Sequence, residues 1–406
     1  MNSAIIKRHL GMTVLEASRW RITYIFDHFE HIYVSFSGGK DSSVMLHLVM
    51  EEAIRRGRRV GVLFIDLEAQ YKLTIDHVEE CFKRYANHIE PFWVALPIHL
   101  RNAVSVYEPH WICWEPERVT DWVRTPSPMA ITDENYFPFF QRGMGFEEFV
   151  ELFGHWYSCG KRTACMVGIR SDESLNRFRT IASRRKMMFE GRQWTTRIDG
   201  EVYNVYPIYD WKTEDIWIYN GRTGSTYNRL YDLMHKAGVP LHNQRICQPY
   251  GDDQRRGLWL FHLIEPETWA RVVARVNGAN SGALYVRETG NIMGNLKISK
   301  PSGHTWESFA KLLLESMPGP TAEHYRNKIA VFLKWYADRG YADGIPDEAD
   351  AADEAGHKAP SWRRVCKALL RNDYWCKGLS FSQQKSEATE KYLKMMKRRR
   401  EQWKLI

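Results

Sequence analysis

Ile32-Tyr33-Val34-Ser35-Phe36, a β-branched and aromatic run, passes through Ser37-Gly38-Gly39-Lys40-Asp41-Ser42 into SSVMLHLVMEEAIRRG, residues 42–57. The order predicts strand, turn and helix, with the helix beginning near Ser43. Val44, Leu48 and Ile54, with Met45 and Val49, recur at helical spacing, and Gly57 suits a left-handed C-cap. Val60 to Asp66 then reads as a second buried strand, completing a βαβ unit. The turn suits an anion. Two glycines let the backbone approach a ligand closely, and the helix behind offers unpaired N–H groups and its positive end. Lys40 adds a charge, Ser37 and Ser42 add hydroxyl donors, and Asp41 would orient the loop or help to hold a magnesium ion. The spacing matches neither G-x-x-x-x-G-K-[ST] nor G-x-G-x-x-G, so a Walker A loop and a dinucleotide fingerprint are both excluded. The competing explanation for the glycines is a purely steric one.

Working outward, Phe92 to Leu96, Ala164 to Ile169 and Val202 to Ile208 read as third, fourth and fifth strands with helices between several of them. The expected fold class is α/β, doubly wound around a five-stranded, mainly parallel sheet. Between the third and fourth strands lies an aromatic, proline-bearing segment, Trp111 to Phe140, within an insertion over about 100–145. Long segments of this kind often cover sites, so it is read as lid-like; the alternative is an inserted subdomain without a chemical role. After Trp211 strands give way to helices, among them TEDIWIYN, Tyr227 to His235 and Pro266 to Val276. The expected division is an N-terminal helical segment over 1–30, a nucleotide-binding domain over 31–240 and a mostly helical C-terminal domain over 241–406. Asp343 to Glu354 is acidic and reads as a solvated stretch, and the basic run Lys397 to Arg400 as a solvated helix face or a phosphate contact.

The 406 residues leave room for two or three domains, and 44% hydrophobic against 26% charged excludes a disordered chain. No apolar run approaches the roughly 18 residues of a spanning helix, and the N-terminus lacks a signal-peptide stretch. A soluble, cytoplasmic protein without membrane partners is expected. Lys and Arg number 57 against 49 Asp and Glu, a net +8 that favours nucleotides, nucleic acid or an acidic protein as partners. The seven cysteines are odd in number and scattered, unlike a disulfide framework. Cys113, Cys159, Cys165 and Cys247 lack C-x-x-C spacing, so neither zinc nor an iron–sulfur cluster is expected. His47, His99 and His242 have no metal partner at clear spacing. His242, Arg245, Arg255 and Arg256 belong either to a substrate contact or to a solvated loop.

The stretch FSGGKDSSVMLHL, residues 36–48, resembles the PP-loop of the adenine-nucleotide α-hydrolase-like (HUP-type) superfamily, which includes the N-type ATP pyrophosphatases and the phosphoadenylylsulfate (PAPS) reductases. Phe64-Ile65-Asp66-Leu67-Glu68, Gly168-Ile169-Arg170-Ser171-Asp172-Glu173-Ser174 with Arg177, Pro207-Ile208 and Asp210-Trp211 extend the likeness over about residues 30–220. Through IDLEAQY and GIRSDESLNR the chain is most similar to PAPS reductase-like proteins of the immunoglobulin-binding regulator A type. The resemblance implies that Ser37, Gly38, Gly39, Lys40, Asp41 and Ser42 contact nucleotide phosphates, that backbone near Phe36 and Ile65 borders adenine, that Asp66 and Arg170 flank the reacting end, and that Gly168 belongs to the nucleotide-binding set. Lys40, Asp41 and Arg170 are the implied catalytic set, and Asp41 the implied magnesium ligand. Arg170 also has a physical case, since a guanidinium at a strand end can clamp phosphate or sulfate; its alternative is a surface pair with Asp172 or Glu173. Glu173 and Arg177, four apart, would support that turn. One departure matters: where a PAPS reductase carries a cysteine in ECGLH, this chain has Cys376-Lys377-Gly378-Leu379-Ser380. Conversely, the intact Lys40-Asp41 pair resembles the members that bind ATP with magnesium and cleave it between the α and β phosphates, which favours adenylylation or sulfur transfer over a PAPS-dependent reductase or sulfotransferase. A third class is a nucleotide-binding regulatory module acting through a ParB-like protein partner or DNA.

Overall fold

The strand, turn and helix around Ser37–Ser42 lie in the middle of a six-stranded sheet. The computed structural model describes residues 11–105, 108, 110–183, 185–246, 251, 258–279, 298–371, 373 and 376–379. They form two units, one running to Arg101 and from His110 to Val276, the other comprising Asn102–Pro109 and the chain from Asn277. Cys247, Arg255, Arg256 and Lys397 to Arg400 lie outside the described residues.

The sheet of the first unit contains β1 (His31–Ser35), β2 (Val60–Ile65), β3 (Ile89–Val94), β6 (Thr163–Val167), β7 (Thr195–Asp199) and β8 (Val202–Val205), in the order β3-β2-β1-β6-β8-β7. Five strands are parallel; β1 pairs with β2 in the register Tyr33↔Gly61 and with β6 in the register Val34↔Met166. The expected count of five is corrected by β7, an antiparallel edge strand bonded to β8. Its sequence TTRID is polar and half exposed, so it lacks the apolar signal of a buried parallel strand. Because the order reverses at β1, the loops after β1 and β6 diverge from a topological switch point, the place where open α/β sheets bind ligands.

Helix α1 (Val14–His28) starts at a capping box in which the Glu16 amide donates to Thr13 Oγ1 at 3.2 Å and the Thr13 amide to Glu16 Oε2 at 2.7 Å. It ties to the segment after β8: Arg21 is 2% exposed and bonds the Asp210 carboxylate at 2.6 Å, while Trp211 Nε1 donates to Ser18 Oγ at 2.7 Å. The Asp210-Trp211 pair thus has a structural role in this fold. Helix α2 (Lys40–Arg56) ends on Gly57 at φ 60°, the expected left-handed cap. Val44, Met45, Leu48 and Val49 are buried against the sheet, but Ile54 is 47% exposed. The helix begins at Lys40 and not near Ser43, because Gly39 takes the N-cap position and its carbonyl accepts the Ser43 amide at 2.9 Å. Lys40, Asp41 and Ser42 are therefore first-turn residues. Helix α3 (Lys72–Arg84) packs Ile75, Val78 and Phe82 into the same core cluster.

Between β3 and α4 (Phe146–Ser158) runs the insertion, with the hairpin β4 (His99–Arg101) and β5 (His110–Ile112). Its aromatic residues are anchors: Phe137 is buried and its ring meets Phe149, Phe153 and Trp156 of α4 at centroid distances of 5.1–6.0 Å. Further elements of this unit are α5 (Leu175–Ala182), α6 (Thr213–Thr223), α7 (Leu230–Lys236), α8 (Leu258–Ile264) and α9 (Pro266–Arg275).

The second unit is helical, with α10 (Trp306–Glu315), α11 (Gly319–Ala337), α12 (Ala351–Ala355) and α13 (Trp362–Leu370) around Trp306, Tyr325, Phe332, Val365 and Leu369. The acidic stretch before α12 is more than a solvated loop. Asp347 Oδ1 accepts the Glu307 amide at 3.0 Å, Asp350 caps α12, and Glu354 Oε2 accepts from Arg363 Nε at 3.0 Å. Among the described residues no helix is long and apolar enough to cross a membrane.

Candidate functional site

The turn after β1 is built for close backbone approach. Gly38 has φ +70°, and a Cβ there would stand 2.9 Å from Thr74 Cγ2 of α3. Its carbonyl accepts from Asn228 Nδ2 at 3.1 Å, and the same amide donates to Thr74 Oγ1 at 2.9 Å. The hydroxyls of Ser37 and Ser42 meet at 2.9 Å, and Ser43 Oγ donates to the Gly39 carbonyl at 2.9 Å. Behind the loop, Ser43 Oγ also meets His77 Nε2 at 2.8 Å; burial pushes His77 down to about 4, so the ring is neutral.

The loop after β6 reaches the first turn of α2 through a second glycine. A Cβ on Gly168 would lie 2.9 Å from both the Asp41 carbonyl oxygen and Ser42 Cα, so only glycine permits this approach. The approach delivers Arg170, whose Nε donates to Asp41 Oδ1 at 2.6 Å. Asp41 Oδ2 in turn lies 3.2 Å from Lys40 Nζ. Arg170 is 2% exposed, so it is no surface residue; its Nη1 forms an ion pair with Asp172 at 3.6 Å but has no hydrogen-bond partner among the described residues. Glu173 Oε2 accepts the Arg170 amide at 3.2 Å and lies 3.7 Å from Arg177, so this pair closes the turn.

Two neighbours of Lys40 are not legible in the sequence. Its amide donates to the Tyr231 hydroxyl at 3.0 Å, and its ammonium donates to the Gln244 carbonyl at 3.2 Å. Both come from about 190 to 204 residues away, a separation at which local spacing carries no signal. Arg245, singled out in the sequence, donates to the Glu173 carbonyl; His242 is exposed beside Glu214 at 3.7 Å.

Asp66 is gathered into a different network. Its Oδ2 accepts from Trp93 Nε1 at 2.9 Å, and its Oδ1 accepts the Glu68 amide at 3.1 Å and pairs with Arg124. Phe36 and Ile65, the residues placed beside adenine, have buried side chains.

The donor set does not fit a metal held by the protein alone. Both Asp41 oxygens face cations, and among the described residues no group of His, Cys, Asp or Glu is arranged to hold an ion. Cys113 is buried and donates to the Leu96 and Ile98 carbonyls at 3.5 Å, Cys165 is buried in β6, and Cys159 is exposed at the end of α4. What the site offers chemically is a buried lysine and arginine, converging through one carboxylate on a helix N-terminus.

A family model for the phosphoadenosine phosphosulfate reductase domain matches residues 31–237, just over half of the chain. A second, a domain of unknown function (DUF3440), matches residues 238–356 and 341–390. The uncharacterized protein YbdN of Escherichia coli (strain K12) is 48% identical over 406 residues, covering 99% of each chain. Among solved structures, Candida glabrata FMN adenylyltransferase in complex with FAD and inorganic pyrophosphate is similar at 17% identity and TM-score 0.33, over 54% of this chain and 58% of that one. The phosphate complex of PAPS reductase from Candida auris is similar at 13% identity and TM-score 0.30, over 61% and 99%.

Proposed function

Because the chain belongs to the phosphoadenosine phosphosulfate reductase domain family, we propose that the Ser37–Ser42 loop binds the phosphates of an adenine nucleotide and that ATP is cleaved there between its α and β phosphates. The observation that carries this reading is the convergence of Lys40 and Arg170 on Asp41 in the first turn of α2. In such a reaction an acceptor attacks the α phosphorus, the bond to the bridging oxygen breaks and pyrophosphate leaves. Lys40, Arg170 and the N-terminal amides of α2 stabilise the charge that grows on the phosphate oxygens. Asp41 holds both cations in place. Phe36 and Ile65 backbone would border the adenine, and Gly168 keeps the two loops close enough to share one ligand. Magnesium would arrive on the phosphates themselves, since Asp41 is committed to its two cations. The acceptor would be adenylylated; where a sulfide-level sulfur donor then attacked the activated carbon, a C–S bond would form, the C–O bond would break and AMP would leave with the oxygen.

Reductive use of PAPS is the second reading, favoured by the family and opposed by Cys376. That thiol is buried, and burial pushes it up to about 12, whereas a nucleophilic cysteine must be a thiolate near neutral pH. Calorimetric titration with ATP plus magnesium, and with PAPS, against Lys40→Ala decides between them. Tighter binding of ATP, followed by pyrophosphate release, is expected. Tighter binding of PAPS selects the second reading, and a folded Lys40→Ala variant with unchanged affinity removes the site assignment.

A further inference from the structure

Resting on that nucleotide reading, we propose that Tyr231 and the segment Val239–Arg245 form a latch that occupies the phosphate positions of the loop and is displaced when nucleotide binds. A helix N-terminus offers amides with no intrahelical partner, and these are the groups that hold a phosphate. Here the Lys40 amide is already spent on the Tyr231 hydroxyl at 3.0 Å. The Lys40 ammonium is spent on the Gln244 carbonyl at 3.2 Å and stands 5.4 Å from the centre of the Tyr231 ring. Lys40 is only 5% exposed as a result. A phosphate oxygen needs the same two donors, and at that position it would face two protein oxygens of like partial charge. Latch and phosphate therefore compete for the Lys40 amide, and around the ammonium, whose three N–H groups already serve Gln244 and Asp41, a phosphate oxygen is repelled by the Gln244 carbonyl.

The latch is also held in a way that permits release. Gln244 Nε2 donates to the Val239 carbonyl at 2.9 Å and Arg245 donates to the Glu173 carbonyl, while Leu241, His242 and Asn243 are exposed. Gln244 is 1% exposed, yet among the described residues its Oε1 has no hydrogen-bond partner. An acceptor buried without a donor disfavours the closed state, and opening returns it to water. Arg170 Nη1, likewise buried and without a hydrogen-bond partner, gains one when a phosphate enters. Both groups bias the equilibrium toward the open, liganded form, as a ligand-linked two-state element requires.

The test is amide hydrogen exchange of the full chain, with and without saturating ATP plus magnesium, together with calorimetry of the wild type and Tyr231→Phe. Exchange across residues 239–245 is expected to rise about tenfold or more with ATP, as for a locally opened segment. Tyr231→Phe keeps the ring but removes one competing oxygen, and is expected to bind ATP about threefold to tenfold more tightly. Binding with unchanged or slower exchange overturns the latch and leaves the nucleotide reading standing. Weaker binding by Tyr231→Phe also overturns it, because the hydroxyl would then be a ligand contact. If neither protein binds ATP, the latch and the ATP reading both fall.

Discussion

Asp41 follows β1 and Asp66 follows β2, its parallel neighbour, so the two carboxylates stand at the same edge of one sheet. Their surroundings differ. Asp66 is fully buried between the Trp93 indole, the Glu68 amide and Arg124, and Glu68, equally buried, accepts from the amides of Trp114 at 2.7 Å and Val123 at 3.1 Å and from Arg275 Nε at 3.0 Å. Every one of those donors comes from the protein, and the result is that the insertion is pinned to the strand end. The remaining donors on that side belong to Arg124, which stacks over Trp114 at 5.1 Å and lines a cavity of about 360 Å³ with Arg271 and Lys72. Around Asp41 the carboxylate instead collects two cations, one of which keeps a buried N–H without a hydrogen-bond partner. Among the described residues Arg124 beside Asp66 likewise keeps Nε and Nη1 without hydrogen-bond partners, so the two acids differ in place: Asp41 stands with two cations in the first turn of a helix, where backbone amides add to the field that an anion meets.

The comparison breaks first at Glu68. Glu68→Gln leaves Arg275 buried opposite a neutral amide and is expected to cost about 3 to 5 kcal/mol in urea unfolding, without weakening ATP binding by the folded fraction. A small cost with lost binding would make the two acids equivalent. Next comes pH. The folded protein holds His77 near 4 against an ordinary 6.5, so the unfolded chain takes up the proton first. The stability contributed above pH 6.5 is lost progressively as pH falls toward 4, by about 3 kcal/mol in total. Unfolding curves should show that slope, and His77→Gln should reduce it, leaving the part owed to His47, which burial also holds low; an unreduced slope would place the titrating group elsewhere. Lys40→Ala is expected to lower ATP affinity about 30- to 100-fold, equivalent to about 2 to 3 kcal/mol, with an unaltered circular-dichroism spectrum. The smallest effect belongs to Arg177→Ala. Its 3.7 Å pair with Glu173 is half exposed on the arginine side, so a stability change of about 0.5 kcal/mol or less is expected from thermal melts.

Much of the first unit could be read residue by residue. IYVSF, SGGKDS and the helix to Gly57 are contiguous and periodic, and the parallel sheet followed from apolar runs separated by helices. The misses share a cause. Thr195–Asp199 pairs at an edge where only one side is bonded, so its residues are polar and its strand signal is weak. Ile54 stands six residues past Leu48, about 240° round the helix by its 3.6-residue turn, and so faces outward while Ala53 beside it is fully buried. The acids at 347, 350 and 354 look solvated in sequence because their partners, Glu307, the α12 amides and Arg363, carry no local marker.

The candidate site divides along the same line. Neighbouring residues dictate backbone conformation through sterics and periodicity, so the glycine turn, the helix behind it and its lysine were evident from residues 32–57 alone. Which buried polar group satisfies which other depends on segments that meet only after folding. Arg170 reaches Asp41 across 129 residues, and Tyr231 and Gln244 reach Lys40 across 191 and 204. Hydrogen bonds and charges act over a few ångströms of space whatever the distance along the chain, and so the folded chain alone assigned Asp66 to the insertion, Asp41 to its two cations and Lys40 to its latch.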